Sequence, residues 1–147
     1  RGTGLWIESA NPTVTNSTFA NSNRDGVFIT GTASPKIEAN QFIKNGGNGI
    51  SVARAAQGEI RNNIFQSTGF GLAIGGTSSP LVSDNQIQQN KDGIYISEAA
   101  RPTLRNNVIQ NNDRDGVVAT VNAQPDIGSA DNAGQNLIRG NKRYDLY

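Results

Sequence analysis

Cysteine and histidine are absent from this sequence of 147 residues. Without cysteine, neither a disulfide framework nor a thiolate metal site can form. Long apolar runs are missing too, and none approaches the roughly 18 residues of a membrane-spanning helix. No signal-peptide pattern is visible. Charge of one sign is also lacking: 13 Lys and Arg against 12 Asp and Glu leave a formal net charge of +1. A nucleic-acid binder would need a clustered basic face, so that balance argues for none. Apolar residues are few, yet they recur in strict register, which a disordered chain of similar polarity would not show.

What is present is repetition. A frame opening on glycine starts at Gly4, Gly26, Gly49, Gly71, Gly93 and Gly116, at intervals of 22 or 23 residues. Periods in this range mark solenoids. After each glycine an apolar pair alternates with one outward residue: Leu5 and Ile7, Val27 and Ile29, Ile50 and Val52, Leu72 and Ile74, Ile94 and Ile96, Val117 and Ala119. Period-two alternation predicts a short half-buried strand. Next comes a proline column, Pro12, Pro35, Pro80, Pro102 and Pro125, with Gly58 in the third repeat. Two residues on, Val14, Ile37, Ile60, Val82, Leu104 and Ile127 mark a second strand, whose outward neighbours set Lys36 over Glu59 and Glu38 over Arg61.

A polar column (Ser17, Asn40, Asn63, Asn85, Asn107) then precedes an inward one (Phe19, Phe42, Phe65, Ile87, Ile109), where the third strand falls. Ser22, Asn45, Thr68, Asn90 and Asn112 close the repeat. The sixth repeat resumes this pattern only after about six extra residues within 128–135. Each repeat therefore holds three short strands and no helix. The expected fold is all-β: a parallel β-helix solenoid of about six coils of 22–23 residues, a single domain over 1–147. The recurring asparagines are expected to be structural, adopting the left-handed conformation at turns and passing amide hydrogen bonds from coil to coil.

The G-[ILV]-x-[IV]…P-x-[ILV]-x-x-N-x-[FI]-x-x-N frame resembles the right-handed parallel β-helix repeats of the pectin-lyase-like superfold, especially the carbohydrate-associated repeats of secreted and periplasmic bacterial proteins. That resemblance implies an extracellular, cell-surface or periplasmic location, with polysaccharide or a neighbouring domain or subunit as partner. It covers essentially the whole chain and is specific for fold, not function. Relatives of this kind include polygalacturonases, whose N-T-D segment, histidine and R-I-K segment are missing here, and uronate epimerases, whose D-P-H-D signature is missing as well. A pectate-lyase-like lyase or hydrolase with catalytic residues partly outside this chain is the alternative to a non-catalytic scaffold or carbohydrate-binding module.

Two surfaces are candidate sites. The outward positions of the first strand, Trp6, Phe28, Ser51, Ala73, Tyr95 and Val118, are uncharged, and the aromatic members Trp6, Phe28 and Tyr95 are suited to stacking on sugar rings or to burial under a neighbour. Asp92, Asp113 and Asp115 on adjacent coils are the candidate hard-oxygen ligands for Ca²⁺, set against the reading that Asp-Gly is an ordinary turn choice. The arginines, among them Arg105, Arg114 and Arg143, read as solvated charges. Solenoids require polar caps, and none is evident at Arg1 or Tyr147. The chain is thus expected to be a fragment flanked by further coils, or to associate end to end.

Overall fold

The computed structural model describes residues 2–147, and the uncapped start expected at Arg1 lies outside them. The chain winds into a parallel solenoid with three sheets. The first sheet stacks Leu5–Glu8, Val27–Thr30, Ile50–Val52, Phe70–Ile74, Asp92–Ile96 and Val117–Ala119. The second stacks Thr13–Thr15, Lys36–Glu38, Glu59–Arg61, Leu81–Ser83 and Thr103–Arg105. The third runs from Thr18–Ala20 through Gln41–Ile43, Ile64–Gln66, Gln86–Gln88 and Val108–Gln110 to Leu137–Arg139. Five coils are complete, one fewer than the six expected. The sixth has strands only in the first and third sheets, and its middle strand is reduced to a single bridge between Thr103 and Asp126.

Register follows the glycine alignment without slippage: Ile29 pairs with Val52, and Leu72 with Ile50 and Ile94. Side-chain alternation puts each predicted apolar column inside. Phe42, Phe65, Ile87 and Ile109 are fully buried, and the rings of Phe19, Phe42 and Phe65 stack at 5.3 and 4.7 Å. Because a single repeat has no second layer to pack on, this column is the core that coils provide for one another.

The corners separate two jobs that the sequence reading had assigned to one residue. The left-handed conformation belongs to Asn16, Ala39, Asn62, Asp84, Asn106 and Gln135, each immediately before a column position, and not to the buried asparagines themselves. Those buried residues form the ladder. Asn63 donates from its backbone N–H at 3.0 Å and from Nδ2 at 3.1 Å to Asn85 Oδ1, while Nδ2 also donates to Ile37 O at 3.0 Å. The pattern repeats through Asn40, Asn85, Asn107 and Asn136. A second ladder runs from Asn90 through Asn112 and Asn141 to Asp145. No buried side-chain nitrogen or oxygen among the described residues is left without a partner, as the cost of orphaned polar groups requires.

The opening glycines are needed for proximity and not for backbone conformation. A Cβ on Gly71 would lie 2.7 Å from both Gly93 O and Ile87 Cγ2. The insertion before the last strand is stapled by Arg105, which donates to Asp126 Oδ2 at 2.8 Å and to Asn132 Oδ1 at 3.3 Å, holding the Asp126 carboxyl below its ordinary pKa.

Candidate functional site

The outward column of the first sheet forms as aligned: Trp6 beside Phe28, Ser51, Ala73, Tyr95 and then Val118. It is not one continuous aromatic face. Ser51 and Ala73 divide it, leaving an aromatic cluster at each end. At the lower end Trp6 stacks on Phe28 at 4.5 Å and remains 58% exposed. At the upper end Tyr95 stacks on Phe70 at 5.0 Å, and its hydroxyl accepts from Thr120 Oγ1 at 3.4 Å. Val118 is buried.

Flanking this face is the column before each glycine: Asp25, Asn48, Phe70, Asp92, Asp115 and then Tyr144. Here the turn reading of Asp-Gly needs correction. None of these aspartates has a positive φ; each carboxylate or amide instead links one coil to the next. Asp25 Oδ1 accepts from Asn48 N at 3.0 Å, Asn48 Oδ1 from Phe70 N at 3.2 Å, Asp92 Oδ1 from Asp115 N at 2.9 Å, and Asp115 Oδ1 from Tyr144 N at 3.1 Å.

One residue earlier, backbone bonds align Arg24, Gly47, Gly69, Lys91, Arg114 and Arg143. In two coils the cation of this column lies over the carboxylate of the coil below. Arg114 grips Asp92 through Nε at 3.2 Å and through Nη2, and Arg143 grips Asp115 through Nε at 2.9 Å and through Nη2. These forked pairs are the strong form of charge-assisted hydrogen bond. The carboxylate side chains of Asp92 and Asp115 are 1% and 0% exposed, whereas those of Arg114 and Arg143 are 40% and 52% exposed. The hydrogen bond from Arg143 holds the Asp115 carboxyl below the usual carboxylate range, against the opposing pull of burial. Bonding to Asp92 and Asp115 likewise raises the two guanidiniums above their ordinary value. Arg105, Arg114 and Arg143 are therefore structural clamps and not the solvated charges they read as in the sequence. The signal was available: an R-D pair stacked one period above another acidic residue.

The candidate Ca²⁺ ligands do not converge. Asp92 and Asp115 each face a guanidinium, and Asp113 points to solvent with Lys142 Nζ at 2.8 Å. Among the described residues no three acidic, histidine or cysteine side chains are grouped as a metal would require.

Two depressions flank the first sheet. The lower one is lined by Thr3, Trp6, Asn23, Arg24, Asp25 and Phe28. The upper one lies over Tyr95, Arg114, Arg143 and Tyr144. Arg143 at the upper site meets a tyrosine pair: its Cζ lies 5.8 Å from the Tyr144 ring centre and 5.9 Å from that of Tyr147, within cation–π range, and the two ring centres are 5.3 Å apart. No helix among the described residues is long and apolar enough to cross a membrane.

The family model of a right-handed β-helix region matches residues 3–145. Comparison with curated proteins and with solved structures yields no match.

Proposed function

The chain belongs to the right-handed β-helix family, and from that premise we propose that it is a non-catalytic scaffold that binds carbohydrate at the lower end of its first sheet. The observation that carries this reading is Trp6, a large aromatic left 58% exposed on a rigid sheet and fixed from one side by Phe28. An indole held in this way offers its free face to the C–H face of a sugar ring with little side-chain entropy left to lose. The same depression supplies polar groups for hydroxyls. Asp25 spends one oxygen on Asn48 N, and no guanidinium or ammonium of the described residues pairs with it. Arg24 and Asn23 stand exposed beside it. Acceptor, donor and apolar platform together suit a polyol ring better than an apolar peptide.

Trp6 is the sole tryptophan, so its emission reports on this site directly. Titration with a panel of neutral and acidic polysaccharides is expected to shift that emission saturably for at least one, and Trp6→Ala with Phe28→Ala to abolish the binding, read by calorimetry because the variant has no tryptophan. Unchanged emission across the panel, or equal binding by the substituted protein, would sink the glycan reading and favour a face covered by a neighbouring domain. Release of unsaturated, ultraviolet-absorbing product from a uronate polymer would instead favour a lyase.

A further inference from the structure

The upper depression presents something its structural role does not use. Each of Arg114 and Arg143 has five N–H donors, of which Nε and Nη2 are directed at a carboxylate. Both N–H groups of Nη1 on each residue make no hydrogen bond within the described residues. The two carboxylates sit at the wall of the depression beneath the guanidiniums and are 1% and 0% exposed, while the guanidiniums are about half exposed. What faces outward is therefore a pair of aligned cationic forks, one coil apart, about 4.8 Å by strand spacing. Lys91 continues the same column one coil below and is exposed, so three cations stand in front of the two buried anions. Tyr95 and Tyr144 line the same depression.

A guanidinium anchored from behind by a carboxylate has already lost its side-chain freedom, so a ligand meets a preorganised donor. Asp92 and Asp115 thus act as positioning residues. We propose that Arg114 and Arg143 form a binding site for a single oxyanion group, a carboxylate, sulfate ester or phosphate ester, carried on a ligand whose ring lies against Tyr95 and Tyr144. One oxygen would accept from each Nη1, and Lys91 would add a screened point charge. The site is independent of the Trp6 reading: it lies at the opposite end of the sheet and recognises charge, not a neutral ring.

The test is a nitrogen-15 titration of the whole chain, following the arginine Nε–H resonances of residues 114 and 143. Methyl glucoside, glucuronate, glucose 6-sulfate and glucose 6-phosphate are added at constant ionic strength, with chloride as control. Saturable shifts with one or more of the charged sugars and none with methyl glucoside or chloride are expected, and the ranking among the three identifies the oxyanion. The paired change Arg143→Gln with Asp115→Asn removes the fork without stranding a buried charge; it is expected to weaken binding roughly tenfold while Trp6 emission and the circular dichroism stay as in the parent. Shifts that do not saturate, that chloride reproduces, or that survive in the paired variant would overturn the proposal. Should the paired variant lose its fold, Tyr144→Ala with Lys91→Ala provides the second reading, and undiminished affinity there would likewise overturn it.

Discussion

The two ends of the first sheet carry the same three residues, Arg24-Asp25-Gly26 and Arg114-Asp115-Gly116, in different neighbourhoods. At the upper end the coil below supplies Asp92 and the next coil supplies Arg143, so every charge of the motif is clamped. At the lower end Thr3 lies beneath Arg24's coil and Gly47 stands where the clamping arginine would be. Arg24 and Asp25 are then left at the surface, next to an exposed tryptophan. Identical local sequence becomes a structural clamp or an available polar pair according to what lies one period away. In a solenoid, the environment of a residue is written some 22 positions before and after it.

The largest effects should come from the feature that both ends share. Asn40→Ala near the lower end and Asn112→Ala near the upper should each cost about 3 kcal/mol, since each leaves buried partners on two sides unsatisfied; urea denaturation reads both, and unequal costs would show that the ladders are not equivalent. The comparison itself is sharpest in Arg143→Ala against Arg24→Ala. The first strands Asp115, 0% exposed, and should lower the urea midpoint well beyond the second. The second removes a surface cation that pairs with no carboxylate of the described residues and should stay within about 0.5 kcal/mol.

Acid should separate the ends as well. The folded-state pKa of Asp115 is lowered, so its contribution is fully present above the unfolded carboxylate value of about 4 and is lost as pH falls from there through the lower folded value. The Arg143 Nε–H resonance is expected to shift as pH falls through that window; a resonance that stays unchanged across it would contradict the clamp. The smallest effect belongs to Lys142→Ala, whose pair with Asp113 is exposed on both sides and should contribute about 0.5 kcal/mol or less in a thermal melt.

The fold was legible because the determinants of a coil are columns: apolar alternation, proline before the second strand and asparagine at fixed offsets all appear as vertical alignments. The conformational detail within a corner was less visible. Asn106 and Asn107 are the same residue type, yet one takes the left-handed turn and the other is fully buried in the ladder. Composition cannot separate them; the strand that follows decides which side chain points inward. Strand alternation puts the aromatic column on the outer side of the first sheet, but its division into two clusters depends on Ser51 and Ala73, and Phe70 reaches Tyr95 from the neighbouring column. The clamps are hidden in the sequence because each joins an Arg of one repeat diagonally to an Asp of the repeat below. The insertion within 128–135 also concealed the period between Asp115 and Arg143, which are 28 positions apart.

The asparagine ladders give the rod a sense of direction. In these rungs the backbone N–H and one Nδ2 hydrogen donate toward the following coil, the side-chain oxygen accepts from the preceding one, and the second Nδ2 hydrogen donates back to a backbone carbonyl. The two strings of dipoles add along the axis and do not cancel as neighbouring antiparallel strands would. A carboxylate accepts but cannot pass the bond on, so Asp145, taking both donors of Asn141, is a terminus for its string. The molecule is therefore an electrical vector as well as a spacer: reversed end for end, it would meet a neighbouring coil with acceptor against acceptor. Any coil added to this stack must run in the same polarity, and the two ends of the first sheet keep a fixed order along the axis.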